Sequence, residues 1–153
     1  MMKIYRRNSD NFEVHDSQNR DLSWVESVYG EGFVVVDPGP TIDDLRAAKK
    51  ALIEKERKSK ENQGVIYNGI RYSGSQDTRV AMNEAVQFAH LAGISVFAEW
   101  KDDDGNYHPA HPVADVEAAL YQVGLNRAAL IGEEAGRMRV LIDATTAEGI
   151  EAA

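Results

Sequence analysis

Cysteine is missing altogether, which excludes disulfides, thiolate metal sites and a thiol nucleophile. Long apolar runs are missing too. None approaches the ~18 residues of a membrane span, and the opening Met-Met-Lys-Ile-Tyr-Arg-Arg lacks the apolar stretch of a signal peptide. We therefore expect a chain that stays in the cytoplasm where it is made, without a membrane partner. Positive charge is scarce: 17 Lys and Arg against 25 Asp and Glu give a net charge of −8. That balance favours solubility and argues against a nucleic-acid partner, whose phosphates an acidic chain repels. Only residues 41–62 are net positive, and their run Lys55-Glu56-Arg57-Lys58-Ser59-Lys60 is interleaved with Glu54, Glu56 and Glu61. It reads as a solvated helix face laced with i,i+4 pairs.

What is present suits a globular α+β protein. The 43% hydrophobic content can build a core, and 153 residues fit one domain or one domain with an appendage. Lys3-Ile4-Tyr5-Arg6 and Asn11-Phe12-Glu13-Val14 read as two strands around the turn Asn8-Ser9-Asp10. Trp24, Val25 and Val28 suggest a helical turn, and Phe33-Val34-Val35-Val36 is a β-branched run. Asp37-Pro38-Gly39-Pro40 then makes a stiff corner, so a β-rich segment is expected over 1–40. Thr41 suits an N-cap, with Asp43 and Asp44 in the first turn. The helix it opens, over 41–62, carries Ile42, Leu45, Ala48, Leu52 and Ile53 on one stripe and only polar residues beyond. A polar-all-round stretch bridges solvent or needs a partner, so this segment reads as a connector helix.

A compact module is expected over 63–153. Its strongest signal is Val65-Ile66-Tyr67-Asn68-Gly69-Ile70-Arg71-Tyr72, where Asn-Gly between β-rich trios specifies a two-residue hairpin turn. The register puts Val65, Tyr67, Ile70 and Tyr72 on one face and Ile66 and Arg71 on the other. Ser75 to Ala92 follows as a helix with Met82, Ala85, Val86 and Ala89 on its inner stripe and Gly93 just past its end. Ile94 to Trp100 reads as a strand, turned by Asp104-Gly105 into Asn106-Tyr107-His108. Hairpin, helix and hairpin together predict a small antiparallel sheet packed by helices. A final helix over about 113–146, striped by Leu120, Val123, Ile131, Ala135, Met138 and Ile142, would span roughly 50 Å. That is longer than the module needs, so one end is expected to project or to meet another copy. Thr146 to Ala153 is expected to fray.

The hairpin Tyr67 to Tyr72, then Asp77-Thr78-Arg79 opening a helix with Met82 and Ala85, then Trp100-Lys101 and Asp104-Gly105 before a long Ala/Leu-rich helix, form one pattern. Over residues 64–145 it resembles a domain of unknown function carried by bacteriophage tail and tail-fibre-associated proteins. That family often starts its last helix with Leu-Thr, where this chain has His111-Pro112-Val113. The resemblance implies a virion or assembly role and supplies no functional residues.

Sites of known chemistry are not assembled in the sequence. Asp102-Asp103-Asp104-Gly105-Asn106 lacks a calcium loop's first and twelfth ligands, which fall on Trp100 and His111, so it reads as a hairpin turn with solvated acids. His108 and His111 lack a third ligand nearby in sequence and read as loop residues. No nucleophile elbow, triad or phosphate loop occurs, and with 25 acidic residues a carboxylate pair alone signifies nothing for glycoside hydrolysis. Gly132-x-x-x-Gly136 carries little weight as a helix-contact motif in a charged helix. Trp100 and Tyr107 are expected to pack together. We thus expect no enzyme, cofactor, metal or catalytic residue. The expected role is a structural or interaction component of a phage tail, either a tail-fibre-associated protein or a tail-fibre assembly chaperone. It would reside in the virion tail after assembly in the host cytoplasm and act through protein–protein contacts. Ile42, Leu45, Leu52 and Ile53 are the candidate interface, in a homo-oligomer with a trimer favoured because phage fibres tend to threefold symmetry. The alternatives are a small acidic phage inhibitor of a host defence protein, and a tail enzyme processing host-surface glycans.

Overall fold

The computed structural model describes residues 2–153, which divide into two compact units, 2–45 and Arg46–Ala153. In the first unit, strands β1 (Lys3–Arg7) and β2 (Glu13–Asp16) form the expected hairpin, with Tyr5 opposite Val14. The sequence left Phe33 to Val36 without a partner. As strand β3 (Phe33–Val36) it pairs antiparallel with the free edge of β1, giving the order β2-β1-β3. Helix α1 (Leu22–Tyr29) is capped by Asp21, whose carboxylate accepts from the Trp24 amide at 3.0 Å. Tyr5, Val25 and Phe33 bury their side chains together as this unit's core.

Helix α2 (Ile42–Gln63) starts at a reciprocal cap. Thr41 Oγ1 accepts from the Asp44 amide at 3.1 Å, and Asp44 accepts from the Thr41 amide at 2.9 Å. From Arg46 onward α2 belongs to the second unit and does not stand apart as a connector. Strands β4 (Val65–Tyr67) and β5 (Ile70–Tyr72) pair in the expected register, with Asn68 at φ 48° and Gly69 at φ 78°. Both values are what the two-residue turn demands. Helix α3 (Gln76–Ala92) is capped by Ser75 and closed by Gly93 at φ 67°. Strands β6 (Val96–Lys101) and β7 (Tyr107–Pro112) form a second hairpin, and helices α4 (Val113–Asp143) and α5 (Ala147–Ala152) complete the chain. Tyr72, Met82, Val86, Val116 and Ala119 form the buried centre, flanked by Val65, Tyr67, Ile70, Phe97, Trp100 and Leu120.

Several expectations give way here. The two hairpins do not merge into one sheet; each stays a two-stranded ribbon. Pro109 and Pro112 bring no amide donors to β7, which suits an edge and stops further pairing. His108 and His111 lie in β7, not in a loop. Trp100 and Tyr107 do not pack together: Trp100 pairs with His108 and Tyr107 with Lys101, so a one-residue offset sends the two rings to opposite faces. Tyr107 is exposed, with the Lys101 ammonium 5.6 Å from its ring centre.

The final helix is covered along much of its length. Its first half buries Val113, Val116, Ala119 and Val123. Of the expected stripe, Val123 is buried and Leu120 partly so, but Ile131 and Ile142 are exposed. The reason is that the second half of α4 lies antiparallel to α2 and meets it through long charged side chains. Glu56 pairs with Arg137 at 2.6 Å, Arg57 with Glu134 at 2.6 Å and Lys60 with Glu133 at 2.9 Å. At one end of this zipper Arg46 donates to the Ala144 carbonyl at 2.9 Å. The polar stretch of α2 thus finds its partner inside the same chain. The last residues do not fray either. Thr146 caps α5, Ile150 is buried, and Arg137 Nε donates to the Ala153 carbonyl at 2.8 Å.

Candidate functional site

Two polar clusters in the second unit concentrate the chain's chemistry. The first is built where α2 ends. Arg57 and Glu61 lie one helical turn apart, so their side chains meet on one face. The chain then turns back and crosses itself closely: a Cβ added to Gly64 would sit 1.8 Å from the Tyr72 carbonyl oxygen, and one on Gly74 would sit 1.9 Å from the Glu61 carbonyl oxygen. Only two glycines facing each other allow this crossing. It brings the start of α3, and with it Arg79, over the end of α2. Arg127 arrives from α4.

All three arginines converge on Glu61, which is only 6% exposed. Arg79 and Arg127 both donate to its Oε1, Arg127 from Nε at 2.8 Å, and Arg57 donates to its Oε2. Arg79 also donates to the Gly74 carbonyl, tying the crossing to the cluster. Burial pushes the Glu61 carboxyl up, but the hydrogen bond from Arg127 and the charges of Arg79 and Arg127 outweigh it and hold it below the usual carboxylate range. Above the cluster opens a cleft of about 220 Å³. Arg57, Lys58, Arg79 and Arg127 line it, with the amides of Asn62 and Gln76 beside them.

The second cluster joins the hairpins. Asp102 is not a solvated turn acid but is buried. Its Oδ1 accepts from the Asp104 amide at 3.0 Å and the Asn106 amide at 2.8 Å, and its Oδ2 lies 2.7 Å from His108 Nε2. The hydrogen bond from His108, helped by those amides, pulls the Asp102 pKa down to about 2. Ala110 takes φ 50° between His108 and His111, and this kink turns both imidazoles to one side, 6.0 Å apart. His111 stacks on Trp100 and shares a 2.7 Å hydrogen bond with the Tyr72 hydroxyl. Burial lowers the His111 pKa and raises that of Tyr72 to about 12. Both groups are therefore neutral at pH 7, and the hydroxyl donates to the imidazole. The Nε2 atoms of both histidines thus face protein partners, and among the described residues no three potential ligands converge on a metal position.

The four expected interface residues are not alike. Ile53 is fully buried, Ile42 and Leu45 are half-buried, and Leu52 is 45% exposed. A larger unpaired apolar surface lies on α3. Val80, Phe88 and Leu91 fall within one arc of that helix, opposite the buried Met82, Val86 and Ala89, and they are 50%, 63% and 90% exposed. The signal was legible in the spacing i, i+8, i+11, but the inner stripe had already accounted for the helix. The Glu61 cluster was hidden for another reason. Its members are separated by up to 70 residues, and only the Arg57–Glu61 pair has a local signature.

A family model described as Domain of unknown function (DUF4376) matches residues 44–153. The match contains the 64–145 stretch of the phage-tail resemblance and extends it through most of α2 and α5. No curated protein and no solved structure matches the chain.

Proposed function

The chain belongs to the DUF4376 family of domains of unknown function, and from that premise we propose that it is a structural or interaction component of a bacteriophage tail, either a tail-fibre-associated protein or an assembly chaperone for the fibre. It acts through protein–protein contacts rather than bond chemistry, in the virion tail or on the way to it. The observation that carries this reading is the outer stripe of α3. Phe88 and Leu91 are large apolar groups exposed beside Glu84 on that face, a loss of buried apolar area that a partner would recover, and among the described residues nothing covers them. The occupant is a second copy of the chain, in a homo-oligomer for which a trimer suits the threefold habit of phage fibres. Copies with a net charge of −8 repel one another, so a self-contact has to rest on apolar groups. Of the two features that first suggested oligomers, the polar half of α2 meets the second half of α4 within the chain, while Leu52 on α2 and Ile142 on α4 stay exposed. The α3 stripe adds to them. Light scattering at tens of micromolar should report an oligomer for the unaltered protein and a monomer for Phe88→Glu/Leu91→Glu, with helical content unchanged. A monomeric unaltered protein that is also absent from washed virions would overturn the reading.

A further inference from the structure

We propose that the cleft above Glu61 binds a small phosphate-bearing molecule. The cleft opposes the character of the chain. In a protein of net charge −8 it gathers four cationic side chains, Arg57, Lys58, Arg79 and Arg127, around one carboxylate. Glu134 on Arg57 supplies the only other acidic contact to these four cations among the described residues. The positive charges exceed the negative by two, the charge that a phosphate monoester dianion brings near neutral pH.

The donor count points the same way. Each guanidinium carries five N–H donors, while a carboxylate accepts about four bonds. The hydrogen bonds to Glu61, Glu134 and the Gly74 carbonyl engage five of the fifteen N–H donors of the three arginines, and among the described residues the other ten have no protein partner. Those donors come from α2, α3 and α4, hence from different directions. A planar carboxylate is matched by one guanidinium fork, whereas donors converging from three sides suit a tetrahedral group. The cleft, at about 220 Å³, has room for such a group and a small organic body, with the amides of Asn62 and Gln76 placed for its hydroxyls. A nucleic acid is disfavoured because the acidic remainder of the chain repels a polyanion. The buried Glu61 fits this role as the anchor that holds three mutually repelling guanidinium groups together before the ligand arrives. This inference stands apart from the tail reading, since a contact protein and a monomer could each carry the cleft.

Lys58 allows the test to separate binding from folding. It lines the cleft, is exposed, and makes no ion pair among the described residues, so Lys58→Gln leaves the arginine–Glu61 network intact. Calorimetric titration of the full chain at low salt with glycerol 3-phosphate, with inorganic phosphate and with pyrophosphate should give saturable one-to-one binding. Lys58→Gln and Arg127→Gln should each weaken it roughly tenfold, the contribution of one charge-assisted hydrogen bond, and Lys58→Gln should leave the melting temperature without ligand unchanged. Lys50→Gln, an exposed cation on α2 outside the cleft, should bind like the unaltered protein. Absence of saturation at about 10 mM, beyond the millimolar end of specific binding, would overturn the proposal. So would equal affinity for succinate, tighter binding of a single-stranded oligonucleotide, or equal weakening by Lys50→Gln.

Discussion

Replacing Gly74 by alanine tests the crossing on which the Glu61 cluster is built. The new Cβ would lie 1.9 Å from the Glu61 carbonyl oxygen. Carbon and carbonyl oxygen approach no closer than about 3.3 Å, so the two backbones must part by roughly 1.4 Å. Neither can yield cheaply. Glu61 lies within α2 and is held by three arginines, and Gly74 sits between β5 and α3 with its carbonyl accepting from Arg79. Beside it the Ser73 hydroxyl donates to the Asn62 carbonyl at 3.1 Å. Overpacking costs typically 1–3 kcal/mol, and with backbone on both sides we take the upper end, about 3 kcal/mol. At about 4–8 °C per kcal/mol for a unit of this size, melting should fall by at least ~12 °C. The chain has two tryptophans, one in each unit. In a Trp24→Phe background the fluorescence of Trp100 therefore reports the second unit alone. Gly136→Ala is the internal control, because a Cβ there meets nothing within 4 Å in the middle of α4, and it should stabilise by about 0.5–1 kcal/mol. A shift below about 3 °C for Gly74→Ala, or shifts of the same sign for the two variants, would refute the close crossing.

Other consequences are as direct. Glu61→Gln removes the one charge that three arginines share, and we expect a loss of about 3 kcal/mol in urea unfolding, near the lower end for breaking a buried pair because Arg127 is partly exposed. Glu61→Ala in an Arg79→Met background should cost less than the sum of the two single changes. Titration of the tyrosines followed by absorbance should show one late group at about pH 12, lost in Tyr72→Phe. Its raised pKa contributes stability that is complete below the ordinary tyrosine value and is lost as pH rises through 12. His111 shifts the opposite way. Its lowered pKa contributes stability present above the ordinary histidine value of 6.5 and lost as pH falls below it. Stability should therefore decline from pH 6.5 toward 5 in the unaltered protein, and less steeply in His111→Gln.

The amino-acid sequence determined the local elements because their causes are local. Asn68-Gly69 specifies its turn through backbone sterics, Ser75 and Gly93 bracket α3 through capping, and Thr41 with Asp44 opens α2 within four residues. The α+β class follows from those pieces. Tertiary structure decided what each polar or apolar face would meet. β1 accepts β3 on its second edge because an unpaired strand edge takes a matching strand at any sequence distance. The polar half of α2 finds α4 through charges more than 70 residues away, which no helical period can announce. Ala110 at positive φ turns His111 to the side of His108, against the two-residue period of a strand, so the register alone could not pair those imidazoles. The cleft belongs wholly to this second level. Glu61, Arg79 and Arg127 sit on three helices, and only the approach of Gly64 to Gly74, two positions without a side chain to keep the backbones apart, brings them together.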